Sequence, residues 1–252
     1  MLLFVFASAA WPTSAEASLP FAPGETLKYD IWYHWGPIWK KAATGDLSVS
    51  NSNYKGQSAL HMNLACRTLS FADKILSVRD TLNAYTTPAL KPLYYEKIAN
   101  EGSYWGHDKL RYAYPDNGRK QANVTILRNN RPQRDTTLFA STQPFDMLTV
   151  FYHLRTIDFS KFKMGQTLTV PIITGRKSIY LDVKYMGRTL ANLRNKKQFS
   201  AYRLYLSFRN DDNLKEDDDP IEVWLSDDSR KIPLKVQGKL PIGSLQAEYS
   251  GD

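Results

Sequence analysis

Four histidines, one cysteine and a scatter of carboxylates are the residues in this chain suited to metal binding, nucleophilic attack or proton transfer. His34, His61, His107 and His153 share no ligand spacing such as H-x-x-x-H, and Cys66 has no partner cysteine, so no metal centre is expected. A lone cysteine also excludes an intrachain disulfide. Cys66 alternates with Leu60, Met62 and Leu64, which puts it on an apolar strand face, where free cysteine acts as a small hydrophobe. There is no G-x-S-x-G elbow, Gly-rich phosphate loop or dinucleotide fingerprint. The chain therefore reads as a non-enzyme without a cofactor.

The acids leave alternatives open. Asp73, Asp80, Glu96 and Glu101 are available for glycan hydrolysis, but that chemistry is defined by separation in space, and the spacing in sequence singles out no pair. Asp73, Lys74, Arg79 and Asp80 can be structural, with Asp73 at a helix N-terminus and Arg79 paired with Asp73 or Asp80. Inside a cavity the same four would be a polar rim for a head group. The run Asp211 to Asp219 offers oxygens to calcium but lacks the glycine and terminal glutamate of a calcium loop, and reads as a solvated hairpin. Trp32, Trp35 and Trp39 cluster at a turn, where they either pack over the end of a sheet or stack on a sugar or lipid.

The elements that must position these residues are mostly strands. Leu27, Tyr29, Ile31 and Tyr33 alternate with polar or amphipathic neighbours, as do Leu60 to Cys66 and Tyr202 to Phe208. Turn signals recur at Tyr54-Lys55-Gly56, Asp116-Asn117-Gly118, Asn129-Asn130 and Lys163-Met164-Gly165. Two segments break the pattern. Ser70 to Ser77 reads as a short helix capped by Ser70, with Phe71, Ile75 and Leu76 as its apolar stripe. Pro144 to Leu154 reads as a helix capped by Thr142 or Gln143 and apolar around most of its circumference, so it should be buried on nearly all sides. The fold class is all-β with minor α: a curled antiparallel sheet forming a half-barrel or barrel, plugged by one or two short helices.

The N-terminus carries the compartment signal. Leu2 to Ala10 is an apolar run, and Ala15-Glu16-Ala17 is an A-x-A cleavage site. Residues 1–17 read as a secretory signal peptide and 18–252 as a single β-rich domain exported to the periplasm. The basic flank such a segment normally carries is absent. The run is too short to span a membrane. Cleavage removes one charge, Glu16, and takes the net charge from +8 to +9. The basic residues are scattered rather than grouped, and an exported chain does not meet nucleic acid, so a solvated basic surface is expected.

Several segments together resemble a known family: Phe21 to Asp30, Ala42-Ala43-Thr44-Gly45, Ser70 to Asp80, Glu101-Gly102, Asp146-Met147-Leu148, Leu154 to Phe159, and Val223 to Asp228 continuing through Arg230-Lys231-Ile232-Pro233 to Gly243-Ser244. They are similar to the exported bacterial proteins of domain of unknown function 3108, in the form common in Bacteroidetes. That resemblance implies compartment and fold but no activity. Relatives often carry a cysteine near the place of Tyr202; none stands here, so no disulfide carries over. The C-terminal hairpin, Ile221 to Leu225, Asp227-Asp228 and Ile232 to Val236, also resembles periplasmic lipoprotein carriers. In those proteins a curled sheet wraps helices and its concave face accepts acyl chains.

These readings lead to a carrier for a lipid or other apolar envelope molecule, lined by Phe71, Ile75, Phe145, Leu148 and Phe151, with an apolar cavity of roughly several hundred Å³. The alternatives are an envelope interaction protein with a filled core and an exposed aromatic patch around the three tryptophans, and a glycan hydrolase.

Overall fold

The computed structural model describes residues 19–116, 118–210 and 219–252. Residues 1–17, expected above to be a signal peptide, and all but the last residue of the run Asp211 to Asp219 lie outside the described residues.

The strands follow the alternation. β1 (Thr26–Trp35), β2 (Ile38–Tyr54), β3 (Gln57–Thr68), β4 (Arg79–Thr86), β5 (Pro92–Glu101), β6 (Tyr104–Ala113), β7 (Lys120–Arg128) and β8 (Arg131–Ala140) form an antiparallel meander. A helix, α1 (Thr149–Thr156), interrupts it. β9 (Thr167–Ile173), β10 (Ser178–Asn192), β11 (Gln198–Arg209), β12 (Ile221–Ser226), β13 (Pro233–Lys239) and β14 (Ser244–Gly251) form a second meander. β14 pairs with β1, joining the two arcs into one 14-stranded sheet that ends at β8 and β9.

The sheet curls until its two edges nearly meet, which makes an almost closed antiparallel barrel. No β8–β9 ladder forms among the described residues. The segment after β8 covers the gap instead. Phe145 donates its amide to the Pro171 carbonyl at 2.9 Å and accepts from the Ile173 amide at 2.8 Å, a parallel bridge on the edge of β9. β8 carries Arg131, Pro132 and Arg134 on its exposed stretch, which blunts a strand edge against pairing with other chains.

That bridge corrects the expected helix start at Pro144. Residue 145 is extended because the β9 edge takes its backbone groups, and the helix begins only at Thr149. Asp146 supplies the cap. Its Oδ1 accepts from the amides of Leu148 at 2.9 Å and Thr149 at 2.7 Å, while its own amide donates to Thr149 Oγ1 at 3.1 Å. Reciprocal bonds of this kind satisfy donors that a helix start leaves free. The helix expected at Ser70 to Ser77 reduces to one 3-10 turn, Ala72–Lys74, with no side-chain cap from Ser70. Asp73 is engaged instead by the Thr68 hydroxyl and by Arg79, whose Nη2 lies 2.7 Å from it.

α1 is the plug. Leu148 and Tyr152 belong to the core cluster of the β1–β7 side, and Val150 and Leu154 to that of β9–β12. The chain bridges to β9 at Phe145, turns at Asp146, and runs through α1 to the buried Arg155. There the guanidinium meets Glu25 just before β1, with Nη1 to Oε1 at 2.6 Å and Nη2 to Oε2 at 3.0 Å. Tyr152 Oη donates to the Ser48 carbonyl at 3.0 Å and ties the plug to β2.

Candidate functional site

Directly opposed residues on paired strands share a face, so the register maps the inner wall. One row runs Leu47, Leu64, Leu82, Lys97, Asp108 across β2 to β6. A second runs Tyr29, Gly45, Cys66, Asp80 across β1 to β4, and Ala99, Gly106, Arg128 continues it on β5 to β7. Both rows turn from apolar to charged near β4. The interior therefore has two lobes of different chemistry.

The apolar lobe is a pocket of about 210 Å³. Its walls are Tyr29 and Ile31 from β1, Gly45 and Leu47 from β2, Leu64 and Cys66 from β3, and Pro233, Val236 and Ala247 from β13 and β14, with Leu148 and Phe151 beneath. Ile31, Leu64, Cys66, Phe151, Val236 and Ala247 are only half-buried, so the pocket is not sealed. Gly45 makes room for it: a bare glycine among Leu47 and Val49 leaves a hole that a side chain would fill. Burial, and after it the Asp80 charge, push the Cys66 thiol up to about 11, so it stays protonated and acts as a small hydrophobe rather than a nucleophile.

The charged lobe, about 490 Å³, lies over β5 to β7. Lys97, Glu101, Asp108 and Arg128 line it, Met147 forms its inner side, and the β9–β10 turn Thr174-Gly175-Arg176 leans over it. Gly175 permits that approach, since a Cβ there would stand 2.5 Å from Asp108 Oδ2. Arg128 Nη1 meets Asp108 Oδ1 at 2.5 Å. Burial and the adjacent Asp80 carboxylate raise Glu101 above the usual carboxylate range.

Of the residues singled out from sequence, Leu148 and Phe151 come together in the apolar pocket. Phe145 is buried in the other core cluster, stacked on His153 at 4.3 Å. Phe71 lies beneath Lys40, whose Nζ stands 4.0 Å from the ring centroid, and Ile75 is 88% exposed. Neither of these two lines the pocket. Asp73 and Arg79 pair with each other on the β3–β4 connection, beside exposed Lys74. Asp80 faces inward, accepting from the Asn100 amide at 3.0 Å and lying 3.8 Å from Lys97 Nζ.

Of the acids offered for glycan hydrolysis, Glu101 lines the charged lobe beside Asp108, and Glu96 does not reach it. Glu96 sits on the outer face, bonded to His107 at 2.8 Å, Tyr94 at 2.9 Å and Asn83 at 3.1 Å. Burial alone would raise it, but those donors outweigh burial and hold it low. Asp80 and Glu101 contact each other, which leaves no gap of the ~5 Å or more that a glycosidase pair keeps for its sugar. Among the described residues no group of three or more His, Cys, Asp or Glu is placed to hold a metal ion, and no helix is long and apolar enough to cross a membrane.

Sequence reasoning put most of the pocket wall on inward strand faces without marking it as a site. The signal it passed over is Gly45, the glycine in an inward row that otherwise reads Ala43, Leu47 and Val49.

A curled antiparallel barrel, plugged by one helix and hollowed beside it, is the class of protein that fold and site define. The chain belongs to the DUF3108 family of proteins of unknown function, whose family model matches residues 28–250. No curated protein matches it. Among solved structures it is similar to a β-barrel-like protein of domain of unknown function DUF1849 from Brucella abortus, with a TM-score of 0.53 and 10% identity over 89% of this chain and 94% of that one. At that identity the likeness concerns the fold alone.

Proposed function

We propose that this protein is a non-enzymatic binding or carrier protein of the bacterial envelope, exported to the periplasm and holding a lipid or another apolar molecule in the barrel. The observation that carries this reading is the pocket beneath Gly45, walled by apolar groups and open at one side. Burying apolar surface there is favourable at roughly 25 cal/mol per Å². At about 210 Å³ the pocket is smaller than a typical drug-sized site, so it would take one end of a molecule rather than a whole lipid.

Native mass spectrometry of protein purified from periplasm, with organic extraction, is the test. The expected result is a mature mass beginning at Ser18 and a lipid-sized adduct. Gly45→Leu should fold normally and lose the adduct, because a Cβ at Gly45 meets nothing closer than Ile31 Cδ1 at 3.6 Å. A bare protein that takes up no added lipid overturns the reading.

A second reading, an interaction surface, has its own observation. In an antiparallel meander the β1–β2, β3–β4, β5–β6 and β13–β14 turns all lie at one end. Trp35, Ile38 and Trp39 are exposed there beside Leu240, Ile242 and Leu245, with Ile75, Leu76, Tyr104 and Trp105 further round the rim. An apolar rim of this kind marks a contact site on a soluble protein. A photo-crosslinking residue at Trp35 should give a discrete product in the envelope, and one at Phe139, toward the opposite end, should not. Equal labelling from both positions counts against a specific surface.

A further inference from the structure

We propose that the molecule held in the barrel is an anionic amphiphile, with its apolar end in the pocket beneath Gly45 and its anionic group in the charged lobe against Arg128 and Arg176. This rests on the carrier reading above and deepens it.

The two inner-wall rows carry the argument. Each passes from apolar side chains on β2 and β3 to charged ones on β5 to β7. β3 and β5, the facing margins of the two lobes, are two strand spacings apart, about 10 Å, and Arg128 on β7 stands two spacings further along the wall, roughly another 10 Å. A long-chain amphiphile spans that distance, passing over Leu82 and Asp80 on β4. Met147 borders one lobe and Leu148 the other, so the turn before α1 lies between them.

The charged lobe has donors to spare. Arg128 uses only Nη1, which donates to Asp108 at 2.5 Å and to the Leu127 carbonyl at 2.6 Å. Its Nε and Nη2 donate to no acceptor among the described residues, although the side chain is only 12% exposed. Arg176 has no ion-pair partner among the described residues, and its turn is held against β6 by Gly175. Planar guanidinium groups with free N–H donors bind carboxylate and phosphate in two-point fashion. The acids in the lobe do not cancel this. Asp108 is already paired with Arg128, and Glu101, raised by burial and by Asp80, carries a proton more readily than a free carboxyl.

The experiment is calorimetric titration of delipidated mature protein with dodecanoate, dodecyl phosphate and the neutral 1-dodecanol. The expected result is that both anions bind roughly tenfold or more tighter than the alcohol, the size of a charge-assisted hydrogen-bond contribution. Arg176→Gln should remove most of that gap and leave the alcohol unchanged. The paired variant Arg128→Gln with Asp108→Asn, which orphans neither partner, should act in the same direction. Gly45→Leu should weaken all three ligands alike. A preference for phosphate over carboxylate points to a phospholipid headgroup, and the reverse to a free fatty acid. If anions and alcohol bind equally, the headgroup assignment is overturned while the carrier reading stands. If none of the three binds, the carrier reading fails and this inference falls with it.

Discussion

Replacing Arg155 with Met should cost the fold about 3–5 kcal/mol, the loss expected when one partner of a buried ion pair is removed. The guanidinium is 1% exposed and fully engaged. It forks onto both oxygens of Glu25, donates to the Arg230 carbonyl through Nε at 3.2 Å and Nη2 at 3.0 Å, and reaches the Pro20 carbonyl at 3.3 Å. Its flat face lies over the rings of Phe21 and Tyr152. Met keeps the volume and loses every donor, so Glu25, itself 9% exposed, is left with Arg230 at 3.4 Å. Three backbone carbonyl contacts go as well. Urea unfolding at pH 7 measures the loss. Arg155→Lys should fall between Met and the native chain, because an ammonium restores the charge but not the fork. A Met variant within 1 kcal/mol of the native protein would contradict this account.

The second large effect is a dependence on pH. Asp146 is fully buried, and burial raises its carboxyl from 3.8 to about 6 despite the bonds it accepts from the Thr149 and Leu148 amides. Oδ2 has no hydrogen-bond partner, nor has the buried Tyr112 hydroxyl. A carboxyl raised in the folded state binds its proton more tightly there than in the unfolded chain, so stability falls as pH rises. Below about pH 4 both states are protonated and there is no penalty. From about pH 4 to 6 the unfolded chain releases the proton first, and above about pH 6 the full cost of about 3 kcal/mol is present. Asp146→Asn retains an oxygen for the cap and carries no charge. Relative to the native protein it should gain up to about 3 kcal/mol between pH 4 and 7, with a flat difference below pH 4. Urea unfolding curves at four pH values decide the matter; a difference constant across the range rules out an ionised, buried Asp146.

The strands were legible because period-two alternation reports which side of a pleated surface faces the core, and Leu27 to Tyr33 or Tyr202 to Phe208 do so plainly. The helix start expected at Pro144 gave way to a long-range partner: Phe145 is claimed by the edge of β9, which local sequence does not reveal. The Asp73–Arg79 pair, by contrast, is local and was among the readings of the sequence; it takes the carboxylate that would otherwise serve the start of a helix. At the site, Leu148 and Phe151 stood out because the segment Pro144 to Leu154 reads as apolar around most of a helix. Lys97, Asp108 and Arg128 look like ordinary solvated charges on alternating strands. Only strand register shows that they share the inner face with Leu64 and Leu82.

The pairing of the first strand with the last has a consequence for how the molecule comes into being. Lys28 lies opposite Gly251, so the ladder that joins the two arcs closes a loop of almost the whole domain. Within each arc neighbouring strands pair through short turns and can form early, but loop closure over such a span is entropically costly and slow. Until Ser244 to Gly251 has left the synthesis machinery, the halves remain two open sheets with bare edges at β1 and at β13. Such edges invite pairing with other chains. A truncation that removes only the final strand should therefore yield an aggregating product rather than a smaller barrel.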